Sequence, residues 1–133
     1  MITVLLEVVN VKTFCEVLNR KIAPAVKFYL AWKLVRDYGL TQVKAARILG
    51  LKQSAVNYAA TGRRKPRYYD EILGVPGVRE ILDRLVEGFI EKGEFELCTL
   101  CYQLLSTGLY TRILEAVGEP AGSVKIPRQT AGG

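Results

Sequence analysis

Histidine is absent from all 133 residues, and methionine and tryptophan each occur once. Without an imidazole the chain cannot by itself build a Cys/His zinc site, a Ser–His triad or a His-based acid–base pair. Phosphate-cradling glycine loops are missing too, since Gly74, Gly77 and Gly93 have neither P-loop nor dinucleotide-binding spacing. No uninterrupted apolar run reaches the roughly 18 residues that a membrane-spanning helix needs. The apolar start, residues 2–9, lacks the basic n-region and small-residue cleavage site of a signal peptide. The acidic residues Glu80, Asp83, Glu87, Glu91, Glu94 and Glu96 read as solvated faces of amphipathic helices, not as paired catalytic carboxylates. The expectation is a cytosolic, non-enzymatic chain of single-domain size with enough apolar content for a modest core.

Acid is scarcest where base is richest. Residues 41–70 carry seven Lys/Arg against one Asp/Glu, whereas residues 71–97 carry three against seven. The net charge of +6 is therefore concentrated in one stretch. Such a concentration is the footprint of phosphate contact, where each neutralised phosphate releases condensed counterions. The plainer alternative is a solvated basic loop.

That basic stretch contains the most informative pattern in the chain, residues 42–58. It reads as a helix, a tight turn and a second helix. Ala45, Leu49, Leu51, Val56 and Ala59 are apolar at the spacing that closes two short helices on each other, and Ala46 sits where they cross. Gly50 falls where the first helix must end and the backbone needs positive φ. Thr41 is a natural N-cap, although Lys44 stands where Glu or Gln would complete a capping box. Lys52 is an unusual entry residue for the second helix and puts an ammonium at its start.

Facing out of the second helix are Gln53, Ser54, Asn57 and Tyr58, all hydrogen-bonding types. The amides of Gln53 and Asn57 can pair bidentately with adenine in a major groove, Ser54 with base or phosphate, and Tyr58 with a phosphate or a sugar. Just downstream, Thr61, Arg63, Arg64, Lys65 and Arg67 are assigned to backbone contact, which fixes register without reading sequence. Lys44, Arg47 and Lys52 are placed on the flanking backbone.

Around this unit the periodicity predicts more helices. One starts near Pro24 and runs to Asp37 or Tyr38, with Val26, Leu30, Leu34 and Tyr38 along its stripe and Gly39 as its stop. Gly62 and Pro66 break the chain, and Asp70 can cap a short turn through Leu73. Val78 to Lys92, residues 95–105 and residues 109–117 complete the set. Residues 2–9 fit either a short strand or the beginning of a helix that continues through residues 11–18. From Gly118 the chain is polar and small and is expected to be a disordered tail, residues 118–133. The division is a DNA-binding region over residues 1–70, with the motif at 41–62, and helices over 71–117 whose apolar excess suits dimerisation.

The three cysteines, Cys15, Cys98 and Cys101, leave four readings open. They are inert core thiols, ligands of an iron–sulfur cluster, ligands of a metal site completed by a partner subunit, or members of a redox-active disulfide. Cys98 and Cys101 form a C-x-x-C inside a helical segment, so both thiols share one face. A bridge from Cys15 to either would suit an intracellular protein of a hyperthermophile.

Residues 41–64 resemble the helix-turn-helix of lambda-repressor/Cro-like transcriptional regulators. More narrowly, residues 21–64, with Ala23-Pro24-Ala25-Val26 leading through Tyr38-Gly39-Leu40-Thr41, are similar to an archaeal group of that type. That group tends to carry a cysteine before the Pro-led helix and a C-x-x-C in a later one, as Cys15 and Cys98/Cys101 do here. The resemblance spans about residues 12–106. Lys52 replaces a capping Ser or Thr, and Asn57 and Tyr58 stand where Ser is frequent nearby, which bears on the target sequence more than on the fold. The resemblance implies an all-α, homodimeric, double-stranded-DNA-binding transcription regulator. Its rivals are a redox, metal or iron–sulfur sensor using the three cysteines, and a protein-interaction module of antitoxin kind.

Overall fold

The computed structural model describes residues 12–119 and 124–126. Its class is all-α. Strand β1 (Lys12–Thr13) is followed by α1 (Phe14–Val17), a π-helical stretch (Leu18–Ile22) and α2 (Ala23–Arg36). Then come α3 (Gln42–Leu49), α4 (Gln53–Thr61), α5 (Tyr69–Leu73), α6 (Val78–Lys92), α7 (Leu97–Thr107) and α8 (Leu109–Ala116), and finally β2 (Val124–Lys125). The two strands form one short parallel pair, Lys12 opposite Val124 and Thr13 opposite Lys125.

Helix α2 is the centre of the molecule. The sequence pattern suggests a single apolar stripe, but Ala25, Val26, Phe28, Tyr29, Leu30, Ala31 and Leu34 are all buried, which covers most of its circumference. Helices α3, α4, α5 and α6 all pack on it. The alanines let neighbours approach closely, and the large residues fill the wider gaps. Tyr38, expected on the stripe, lies beyond the C-cap at Asp37 and is exposed.

Pro24 lies in the first turn of α2, as its residue type suggests, but the helical run reaches it from Phe14 without a break. Proline has no N–H for the carbonyl four residues back, and its ring crowds that carbonyl. The ladder widens upstream, with the Ala23 N–H donating to the Leu18 carbonyl, and so absorbs the misfit as a π turn.

Helices α6, α7 and α8 share one apolar core with the N-terminal elements, through Val78, Leu82, Val86, Phe89, Leu100, Leu104 and Ile113. Much of the apolar excess over residues 71–117 thus covers the chain's own core. The other boundary differences are local. Asp70 lies in the first turn of α5, and the cap is Tyr68 at φ 67°. The seventh helix starts at Leu97 because Phe95 packs edge-on against Phe89, centroids 5.0 Å apart, and its N–H donates to the Ile48 carbonyl at 2.7 Å. That bond satisfies one of the last carbonyls of α3. Residues 2–9, the open strand-or-helix segment, lie outside the described residues, as do 120–123 and 127–133 of the expected disordered tail. Within that tail, Val124 is buried and paired with β1, because an apolar β-branched residue finds both a core contact and a strand partner there.

A polar clasp joins α2 to α6. The Tyr29 hydroxyl donates to Asp83 Oδ1 at 2.7 Å, and Lys33 Nζ lies 3.3 Å from the same oxygen and 3.1 Å from Asp37 Oδ2. Burial, then the Asp83 carboxylate, pushes the Tyr29 phenol up from 10.0 to about 12. Burial works against the Lys33 charge, but Asp37 and Asp83 outweigh it and its pKa is raised. Asp83 is therefore a structural partner and not only part of a solvated face. Tyr29→Phe should cost about 1–2 kcal/mol in urea unfolding near neutral pH. In an alkaline titration one of the seven tyrosines should ionise last, near pH 12, and the Phe variant should lack that component. Because the folded pKa is raised, the phenol's contribution is complete below pH 10 and is lost as pH rises through about 12.

Candidate nucleic-acid interface

Helices α3 and α4 are held at a fixed angle by their ends. The Thr41 hydroxyl accepts from the Lys44 N–H at 3.1 Å and caps α3. Gly50, at φ 66°, ends it, and the Leu51 N–H returns to the Ala46 carbonyl at 2.9 Å. Only glycine takes that backbone without strain. Three residues later α4 begins at Gln53, with Lys52 making no side-chain cap. Gly62, at φ 72°, closes α4 in the same manner, the Arg63 N–H donating to the Tyr58 carbonyl at 2.8 Å.

Packing then fixes which face of α4 looks outward. Val56 is 0% and Ala59 1% exposed, against the buried Ala45, Ala46 and Leu49 of α3. Helical geometry sends Gln53, Ser54 and Asn57 to the opposite side, and all three are exposed. Tyr58 differs from the other three: it is half-buried against the core. Gln42, at the start of α3, reaches across to Asn57, Nε2 to Oδ1 at 3.4 Å. Sequence reasoning gave Gln42 no role. The spacing of 15 residues hides the pairing until the two helices are folded together.

The basic residues fall into two groups. Lys44, Arg47, Lys52, Arg63, Arg64 and Arg67 are exposed and have no ion-pair partner among the described residues. Lys65 sits 3.8 Å from Asp70, both well exposed, a contact that holds it weakly. Aromatic rings organise the second half of this segment. Arg64 lies over Tyr58 at 4.8 Å, Lys65 over Tyr69 at 5.5 Å and Arg67 over Tyr68 at 5.0 Å from the ring centroids. Tyr69 is itself wedged edge-on against Phe28 of α2, at 5.1 Å. Thr61 is exposed at the end of α4, and its hydroxyl donates to the Asn57 carbonyl at 2.8 Å.

The cysteines meet although they come from opposite ends of the chain. Cys15 on α1 and Cys98 on α7 are exposed, and Cys101 is half-buried. Burial, then the nearby Cys15 and Cys98 thiols, raises the Cys101 pKa. Cys101 is thus not an isolated core thiol. Among the described residues no group of three or more Cys, Asp or Glu has the geometry to hold a metal ion.

No known family, characterised protein or solved structure matches this chain. No helix among the described residues is long and apolar enough to cross a membrane.

Proposed function

We propose that α3 and α4 form a lambda-repressor-like helix-turn-helix and that the protein is a sequence-specific DNA-binding transcriptional regulator. One observation carries this reading: α4 buries Val56 and Ala59 and leaves Gln53, Ser54 and Asn57 exposed together, beside a run of cations of which, among the described residues, only Lys65 has a carboxylate partner. A surface helix needs no such set of amide and hydroxyl groups for stability. A helix lying in a major groove needs them to read base edges. Gln42 would steady the Asn57 amide, Tyr58 would flank the groove with Arg64, and Arg63, Arg64, Lys65 and Arg67 would hold phosphates. Lys44, Arg47 and Lys52 would meet the backbone on the other side. The chain would act as a cytoplasmic homodimer on a pseudo-palindromic site, with the two recognition helices about 34 Å apart.

A second reading is favoured by the meeting of Cys15 with Cys101. In it, an oxidising disulfide such as oxidised glutathione converts the pair to an intramolecular disulfide. The Cys15 thiolate attacks the reagent and expels one thiol. The Cys101 thiolate then displaces the second, so two reduced thiols leave and one protein disulfide remains. Helix α1 runs on into α2, so such a bond would act on the helix that carries α3 and α4.

Asn57→Ala or Gln53→Ala should cost about 1–3 kcal/mol on a site selected from random duplexes and should relax preference at one base pair. Arg64→Ala should weaken specific and random duplexes alike and reduce the salt slope by about one. Identical behaviour of the two kinds of variant on both duplexes would remove the distinction between reader and anchor. Sedimentation at micromolar concentration should give a dimer, and a monomer both free and on DNA counts against the palindromic site. Oxidised glutathione should shorten the protein's mass by two hydrogens and change its retention of the selected duplex, while Cys101→Ser should accumulate a glutathione adduct instead. Equal DNA retention before and after oxidation would sink the switch.

A further inference from the structure

Beside the basic segment lies a cavity of about 260 Å³ lined by Arg20, Lys21, Pro24, Pro66, Arg67 and Tyr68. Three of its six lining residues are cations, drawn from the π turn before α2 and from the loop before α5. Like charges around one opening repel each other, and an anion seated among them relieves that repulsion. Lys21 is accounted for: Nζ lies 2.6 Å from Glu119 Oε1 and 3.3 Å from the Val117 carbonyl, which leaves one of its three donors. Arg20 and Arg67 have no carboxylate partner among the described residues. The cavity therefore carries an excess of two positive charges, the complement of a phosphate dianion.

The wall is built rather than incidental. Tyr68 holds φ 67°, a left-handed backbone rare for an aromatic residue, and its ring lies under both Lys21 at 5.3 Å and Arg67 at 5.0 Å. The ring thereby holds two of the three cations in place at the opening. Two prolines, Pro24 and Pro66, stiffen the backbone on either side. The volume lies just under the range of about 300–1,000 Å³ typical of sites for drug-sized ligands. That suits a phosphate group with little attached.

We propose that this cavity is a phosphate-binding site in which Arg20 and Arg67 grip the anion from two sides and Lys21 closes the third. This goes beyond the DNA-reading proposal; of the two possible phosphate sources, only the nucleic-acid backbone rests on that proposal. The phosphate belongs either to a small phosphorylated compound or to one position of a nucleic-acid backbone that runs on from residues 63–67, and these two sources share the same chemistry.

The test uses the full chain without DNA and titrates inorganic phosphate against chloride at matched ionic strength, reading Tm and backbone amide shifts. A saturable response confined to phosphate is expected, with shifts at Arg20, Lys21 and Tyr68. Arg20→Gln or Arg67→Gln should each weaken it by about fivefold or more, through loss of a charge-assisted hydrogen bond. Arg112→Gln, exposed on α8, should leave it unchanged. Measuring the selected duplex with and without saturating phosphate separates the sources: competition beyond the ionic-strength effect assigns the site to a backbone phosphate, and none assigns it to a small phosphorylated compound. A response no greater than chloride's, or equal in all variants, overturns the site. Failure to bind any duplex would instead strike the DNA-reading proposal and leave the phosphate titration intact.

Discussion

The burial of α2 on most of its circumference is the constraint on which the rest of the structure depends. Ala25, Leu30 and Ala31 have no measurable exposure, so helices approach α2 from several directions at short range. A close-packed interior tolerates little adjustment, so positions along α2 fix where the shorter helices sit. Helices α3, α4 and α5, at eight, nine and five residues, are too short to hold a shape in isolation. Their stability comes from the face each lays on α2. The polar face of α4 is thus set by the apolar packing beneath it.

The basic segment at the end of α4 concentrates backbone strain. Arg64 and Tyr68 both have positive φ, at 50° and 67°, and neither is glycine. Each such residue costs roughly 1–2 kcal/mol. What offsets the cost is visible in the rings: Tyr58 and Tyr68 take cations on their faces, and Tyr69 takes one while packing on Phe28. A seven-residue loop, residues 62–68, rich in like charge would otherwise extend and fluctuate. Here the guanidinium groups of Arg64 and Arg67 are held at defined positions, which reduces the ordering entropy lost when an anion arrives.

Local signals in the sequence were legible, and distant ones were not. Thr41, Gly50, Gly62 and Gly93 mark helix ends because caps and left-handed turns are decided by a few neighbouring atoms. The outward set Gln53, Ser54 and Asn57 follows from the 3.6-residue period once Val56 and Ala59 are taken as inward. Tyr58 was harder, because an aromatic ring can be half in the core and half at the surface, as it is. The π turn was hidden because Pro24 reads equally well as the start of a helix. Nothing in a one-dimensional pattern indicates that Gln42 meets Asn57, that Cys15 meets Cys101, or that Phe95 bonds to Ile48. Those contacts exist only after α2 has gathered its neighbours. The role of Tyr68 was illegible for a further reason: its left-handed backbone contradicts its residue type, and such conflicts are imposed by surroundings.

The same logic divides the cations by what each can do. Arg63 and Arg64 follow directly on the face of α4, so an anion they hold is registered to Gln53 and Asn57. Arg67 is turned, through Tyr68, toward Arg20 and Lys21, whose positions are set by the π turn that Pro24 requires. Lys21 in turn grips the end of α8 through Val117 and Glu119. An anion seated among Arg20, Lys21 and Arg67 would therefore touch three parts of the fold at once: the entry to α2, the loop leaving α4 and the chain beyond α8. Charge at one end of residues 63–67 lies beside the exposed amides of α4. Charge at the other bears on how firmly that segment is joined to the core.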